Sequence, residues 1–319
     1  MAMVRERRHQ QPLRLPLLPP SPGFSSSPRP SPSHVTADPL ADLELLRVIG
    51  HGGGGTVHKV RHRRTCAVFA LKLLHVGSAA AVLEADLLPR LSSPFVVRCH
   101  AVIAGDRRLG LLLEYMAGGS LLDVLRRRGR LPEALIAAVA RHVLLGLEYL
   151  HDVGVVHGDI KPSNLLVSRH GEVKIADFGA SRVVGKAPGG DTCGGTCAYM
   201  SPERLDSEGF GGARDDGALF AGDVWALGVV VMECHVGRHP MVGEGERPDL
   251  AALMCAVCLG DTQTKAAAAT SPEMRSFVGR CLEKEWWRRG TVGELLGHPF
   301  VAIEGGCSTK GLVDEAQLI

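Results

Sequence analysis

The sequence predicts an α+β chain in two lobes, a small β-rich lobe followed by a larger helical one. Short runs of apolar and β-branched residues, at Leu43–Ile49, Thr56–Val60, Ala67–Lys72 and Leu109–Leu113, crowd the first part of the chain. From Pro132 to His151, Leu135, Val139, Val143 and Leu147 recur near every fourth residue, the period of a helix with one buried face. A second apolar helix opens at Asp223-Val-Trp-Ala-Leu-Gly228. The 319 residues, 45% of them hydrophobic, suffice for one large core or two modest ones.

Four segments follow from this pattern: an arm over 1–42, a small lobe over 43–116, a large lobe over 117–300 and a tail over 301–319 without a readable motif. The arm is rich in Pro and Ser and poor in acids, so it buries too little apolar surface to offset its ordering entropy, and disorder is expected. Its Ser21-Pro22, Ser27-Pro28 and Ser31-Pro32 read as ordinary linker.

Composition narrows the function. The net charge of +2 gives no bulk field toward nucleic acid, and Arg126-Arg-Arg-Gly-Arg130 reads as a solvated helix end. The apolar run from Leu13 to Leu18 is broken by Arg14 and Pro16, so no signal peptide is expected. No apolar run approaches the 18 residues of a membrane span. The nine cysteines are read as reduced, which points to the cytoplasm and leaves the nucleus open. Cys255-Ala-Val-Cys258 has no second pair at zinc spacing and reads as part of a buried helix.

In the small lobe a strand leads into Gly50-His51-Gly52-Gly53-Gly54-Gly55-Thr56-Val57. A Gly-x-Gly-x-x-Gly run alone is weak, because dinucleotide folds use it before a helix. Here a strand follows, so the glycines read as a hairpin whose amides can approach phosphates with no Cβ in the way. Lys72, on the third strand, would contact those phosphates and needs a carboxylate to hold it, since a buried unpaired ammonium is costly. Glu84 is the first candidate and Asp86 the second, although twelve residues from Lys72 to Glu84 is a short connection. Leu113 would border the back of an adenine pocket, with backbone groups of Glu114 and Met116 at its edge. A plain strand-to-loop junction reads the same residues as well.

The chemistry concentrates in His157-Gly-Asp-Ile-Lys-Pro-Ser-Asn164 and Asp177-Phe-Gly179. Asp159 can orient a hydroxyl and accept its proton, Lys161 can neutralise charge on the group in transfer, and Asn164 and Asp177 can hold magnesium on a nucleotide's phosphates. Farther on, Glu203 of Ser201-Pro-Glu203 is expected to pair with Arg289, and Asp223 to bond the catalytic-loop backbone.

These motifs, from Gly50 to Pro299, resemble a eukaryotic protein kinase domain. Tyr115-Met-Ala-Gly-Gly-Ser120, the catalytic loop and Gly195-Thr-Cys-Ala-Tyr-Met-Ser-Pro-Glu-Arg204 are similar to the mitogen-activated protein kinase kinases, in their atypical plant branch. The resemblance implies a dual-specificity enzyme using ATP and Mg2+, acting on a Thr and a Tyr of a downstream mitogen-activated protein kinase and driven by an upstream kinase. It adds Ala70 and Ser120 to the nucleotide-binding set. It also implies a docking role for the arm, where Arg5, Arg7 and Arg8 precede Leu13, Leu15 and Leu17: cations for an acidic patch and leucines for apolar pockets. Read alone, that stretch is more readily a solvated charge run beside incidental leucines.

Two departures stand out. The family usually carries Arg where this chain has Gly158, and that Arg pairs with a phosphate on the activation segment. Of two phosphorylatable positions in that segment, Thr192 is present and the other is Lys186. The altered switch keeps a second reading open, a weakly active, pseudokinase-like scaffold that docks the downstream kinase. A small-molecule kinase is disfavoured by the Ser-Pro-Glu203 segment and the long helical lobe. The departures predict that Thr192 phosphorylation matters little, so Thr192→Ala keeps most of its activity when the upstream kinase is present; a large, phosphorylation-dependent loss contradicts this.

Overall fold

Five antiparallel strands form the first lobe, in the order β1-β2-β3-β5-β4. They are β1 Leu43–Gly52, β2 Gly55–His62, β3 Val68–Leu74, β4 Cys99–Gly105 and β5 Arg108–Glu114. The computed structural model of the chain describes residues 40, 42–52, 54–75, 77–105, 108–185, 195–211, 215–241, 250–260, 270–302 and 309–313. The docking arm with Arg5, Arg7, Arg8, Leu13, Leu15 and Leu17, and the activation-segment positions Lys186 and Thr192, lie outside the described residues, as does Gly53.

The two faces of this sheet do different work. Leu43, Val60, Leu71 and Ile103 form a small core of their own. Ala70 and Leu74, two residues apart along β3 from Lys72, belong instead to the main core, as a two-residue strand period requires. Helix α1, Ala79–Leu87, lies on that second face and buries Ala81, Glu84 and Leu87. Strand β4 was not singled out in the sequence; its pairing with β5 has one register shift, between Cys99 and Ala101.

The second lobe begins with the short strand β6, Gly119–Ser120, and α2, Leu121–Arg128, which starts in a capping box made by Ser120 and Asp123. Helix α3, Glu133–Asp152, spans the expected stretch and buries Ile136, Val139, Ala140, Val143, Leu144, Leu147 and Leu150. At Gly146 a Cβ would sit 2.8 Å from Ile175 Cδ1 and 3.1 Å from the Phe95 carbonyl, so glycine lets α3 lie directly on the strands that carry the catalytic loop. Those strands are β7 Val155–Val156, β8 Leu165–Val167, β9 Val173–Ile175 and β10 Arg182–Val183. After α4 Pro202–Leu205 and α5 Ser207–Phe210, helix α6 runs from Asp216 to Val236, starting seven residues before the Asp223 motif and ending at Gly237 with φ +85°.

Helices α3 and α6 correct one expectation. Both are long and apolar enough to cross a membrane by length and composition, but 56% and 78% of their most apolar windows are buried inside the protein. Helices apolar nearly all round are explained by burial in a core, and these two pack on one another.

Among the described residues the lobe continues with helices α7 Leu250–Met254, α8 Pro272–Cys281 and α9 Val292–Leu296. The Cys255–Leu259 stretch is a π-helical turn, not a buried helix: Cys255 is exposed, Val257 is buried in the core, and Cys258 is half-buried against it. No cluster of metal-ligating side chains is found among the described residues. Part of the tail is also structured. Thr309–Leu312 forms a 3-10 turn with Leu312 fully buried, and the Arg128 guanidinium donates to the Gly311 carbonyl.

Candidate active site

The cleft between the lobes, about 1100 Å³, collects most of the residues singled out in the sequence. Gly50, His51, Gly52, Gly54, Gly55 and Val57 roof it, and Ala70, Lys72, Glu84 and Leu113 form its back. Glu114, Met116 and Ser120 border it, and Lys161, Asn164 and Asp177 line its floor. Thr56 and Asp159 are the exceptions among the described residues: neither is part of the lining, the Thr56 hydroxyl lies 3.3 Å from His51 Nδ1 across the hairpin, and Asp159 sits beside the lining residues Lys161 and Asn164.

The hairpin needs its glycines for two separate reasons. Gly55 has φ +134°, and a Cβ there would sit 1.9 Å from the Leu73 carbonyl. A Cβ on Gly54 would come within 3.2 Å of Lys72 Nζ, so the roof lies almost on that ammonium.

Lys72 Nζ donates to both oxygens of Glu84 at 2.7 Å and to Asp177 Oδ1 at 2.9 Å. The short connection is sufficient because α1 starts only five residues after β3 ends and Glu84 lies in its second turn. Asp86 faces outward and pairs with Arg90 instead. Burial opposes a charge on Lys72, but the carboxylates of Glu84 and Asp177 outweigh it and hold the ammonium's pKa above its ordinary value. Asp177 shows the converse. Burial pushes its carboxyl up, yet the Lys72 charge and hydrogen bond, with help from His157 and the Gly179 amide, hold it below the usual range.

Asp177 has φ +67°, a left-handed conformation uncommon outside glycine, which turns its carboxylate toward Lys72 while Phe178 goes into the core. The Phe178 ring packs edge-on against His157 at 5.1 Å, and His157 Nε2 lies 3.1 Å from the Ala176 carbonyl. Beneath the catalytic loop, buried Asp223 accepts the amides of His157 at 2.9 Å and Gly158 at 2.8 Å, as expected, and lies 3.1 Å from His151 Nε2. The expected Glu203–Arg289 pair also forms, with bonds of 2.8 and 3.0 Å, and Arg289 stacks over Trp225.

Asp159 is held on three sides. Its Oδ1 accepts the Thr196 amide at 2.8 Å, its Oδ2 accepts Asn164 Nδ2 at 3.0 Å, and Lys161 Nζ lies 2.7 Å from Oδ2. Lys161 also donates to the Thr196 hydroxyl at 2.6 Å. The arrangement sets a carboxylate beside an ammonium that lines the cleft, with a second ammonium at the cleft's back. It suits transfer of a phosphoryl group to a hydroxyl.

Comparison with known proteins agrees. The protein kinase domain family matches residues 43–301. Mitogen-activated protein kinase kinase 10 of Arabidopsis thaliana is 50% identical over 308 residues, 94% of this chain and 99% of its own length. Kinase kinases 9 and 7 of the same plant are 44% and 43% identical over the same shares. The chain belongs to the plant mitogen-activated protein kinase kinases.

This kinase kinase is therefore an ATP-binding phosphotransferase of a kinase cascade. Its floor residues fit a hard divalent cation. Asn164 commits its Nδ2 to the Asp159 carbonyl and carboxylate, which leaves its oxygen as the ligand atom, and Asp177 keeps one oxygen beyond the one bonded by Lys72. Two oxygen donors leave room for phosphates and water, as magnesium prefers. Of the backbone groups expected to meet an adenine, the Glu114 amide is bonded to the Arg98 carbonyl at 3.0 Å.

Two partners were missed in the sequence. Lys174 holds the Glu114 carboxylate at 2.8 and 2.9 Å and so ties the cleft's edge to β9. Thr196 holds both Asp159 and Lys161; its only sequence signal is its place after Gly195 in the segment leading to Ser-Pro-Glu203.

The buried Asp223 gives this kinase kinase a predictable acid dependence. Burial pushes its carboxyl up, but the His151 hydrogen bond and charge, the nearby His157 and the Gly158 amide together hold it below its ordinary value. A depressed native pKa contributes stability above the unfolded-state value, about 4, that is lost as pH falls through the native one. Asp223→Asn should lower the melting temperature at pH 7 and flatten its decline between pH 5 and 3, as read by thermal unfolding across that range.

Proposed function

We propose that this kinase kinase phosphorylates the Thr and the Tyr of a Thr-x-Tyr segment in a downstream mitogen-activated protein kinase, using MgATP and acting under an upstream kinase. The single observation that carries the reading is the Asp159–Lys161 pair, held by Thr196 and Asn164 beside an intact Lys72, Asn164 and Asp177 set.

In this reading the glycine hairpin covers the nucleotide's phosphates and excludes water. Lys72, fixed by Glu84, neutralises phosphate charge from behind. Magnesium, held by Asn164 and Asp177, would screen the rest of that charge. Asp159 accepts a hydrogen bond from the incoming hydroxyl and takes up its proton, and Lys161 compensates the charge that develops on the transferred group. The names of the relatives support the choice of cascade, and the Arg-and-Leu pattern of residues 5–17 supports docking of the substrate through the arm.

One assay tests both parts. The chain is incubated with MgATP and a catalytically dead mitogen-activated protein kinase, and phosphate is mapped on the Thr-x-Tyr segment by mass spectrometry. Both residues should be modified, Asp159→Ala should lose several orders of magnitude, and removal of residues 1–18 should raise KM for the protein substrate with KM for ATP unchanged. Nucleotide binding without any transfer leaves the scaffold reading in its place.

A further inference from the structure

Arg204, in α4, reaches into a slot walled by glycines from three different segments. Its Nη1 donates to the Gly158 carbonyl at 2.8 Å. A Cβ on Gly195 would lie 3.3 Å from its Nη2 and 2.7 Å from the Gly158 carbonyl. A Cβ on Gly222 would lie 3.5 Å from its Cδ, and one on Gly158 would lie 2.8 Å from the Ala180 carbonyl. Gly158 and Gly195 also have φ +77° and +111°, so neither position takes a side chain without strain. The space a side chain at 158 would use is closed by backbone, and the guanidinium beside it comes from another part of the chain.

What Arg204 touches gives the contact its meaning. Gly158 directly precedes Asp159. Gly195 directly precedes Thr196, whose amide donates to the Asp159 carboxylate. Arg204 itself sits next to Glu203, which Arg289 anchors from 2.8 Å. One cation on a fixed base thus grips the catalytic loop on the residue before its carboxylate, with the substrate-facing segment against its other edge. Asp223 fixes the same peptide from beneath, through the Gly158 amide. Amide and carbonyl of residue 158 are therefore both held, from opposite sides.

We propose that Arg204 is a positioning residue for phosphoryl transfer, setting Asp159 against Thr196 by holding the carbonyl of Gly158. The proposal rests on the reading of this chain as an active kinase, and two separate readouts distinguish their failures. In Arg204→Ala, kcat should fall by up to about 100-fold with KM for ATP unchanged. Arg204→Lys, which keeps one donor, should recover part of the loss and serves as the test if the alanine variant does not fold. Independently of turnover, hydrogen exchange should quicken in peptides covering 156–160 and 195–199 of either variant and stay as in wild type in α3. Unchanged kcat in an active enzyme overturns the proposal, and so does a loss of kcat with unaltered exchange in those two peptides. If the wild type proves inactive, the exchange experiment alone decides: unaltered exchange sinks the positioning role, and local quickening upholds it.

Discussion

The site depends on one ammonium shared by two carboxylates. Lys72 comes from the β-sheet lobe, Glu84 from the helix packed on it, and Asp177 from the loop that follows the catalytic strands, and all three meet within 2.9 Å. The side chains of Lys72 and Glu84 are 8% and 2% exposed, so neither charge is well hydrated and each requires the other. The contact therefore does two things at once. It holds α1 against the sheet, and it fixes the left-handed turn at Asp177 that sends one oxygen toward the cleft and Phe178 into the core.

The second lobe repeats this device with different groups. Asp223 is a fully enclosed carboxylate that spends both oxygens on the amides at 157 and 158, and Arg289 is an enclosed cation that spends its donors on Glu203 and three carbonyls. Charges in a core are tolerable when every donor and acceptor is used. Asp223 thereby fixes the backbone of the catalytic loop, and Arg289 ties Glu203 to the Ala221 carbonyl of α6 and to the carbonyls of Glu283 and Lys284. Glycine supplies the other half of the design. At Gly54, Gly55, Gly158 and Gly195, backbone passes where a Cβ would strike a carbonyl or the Lys72 ammonium.

Much of this was legible from residues alone. The glycine hairpin followed by a strand, the lysine on the third strand and the spacing of Asp159, Asn164 and Asp177 led to the same cleft that the structure forms. The long helix at Glu133–Asp152 was visible because a single buried face imposes its period. Other features had no local signature. Whether Glu84 could reach Lys72 turned on where α1 begins, which spacing along the chain does not reveal. Thr196, Lys174 and Arg204 act on partners 35 to 60 residues away, so nothing adjacent in sequence marks them. The turn at Thr309–Leu312 rests on one buried leucine and is too short to show a period. The two long apolar helices show a further limit, since a core helix and a membrane helix share composition and differ only in what surrounds them.

The central claim is that Lys72 and Glu84 form one energetic unit in the nucleotide-free protein. A double-mutant cycle on unfolding free energy, with Lys72→Met, Glu84→Leu and the pair together, measures it by denaturant titration. Lys72→Met should cost about 3–5 kcal/mol, because it strands the buried Glu84 carboxylate, and Glu84→Leu should cost less, because Asp177 still pairs the ammonium. The double variant should cost less than their sum by about 1–3 kcal/mol. Single variants as stable as wild type, or costs that simply add, would contradict the account.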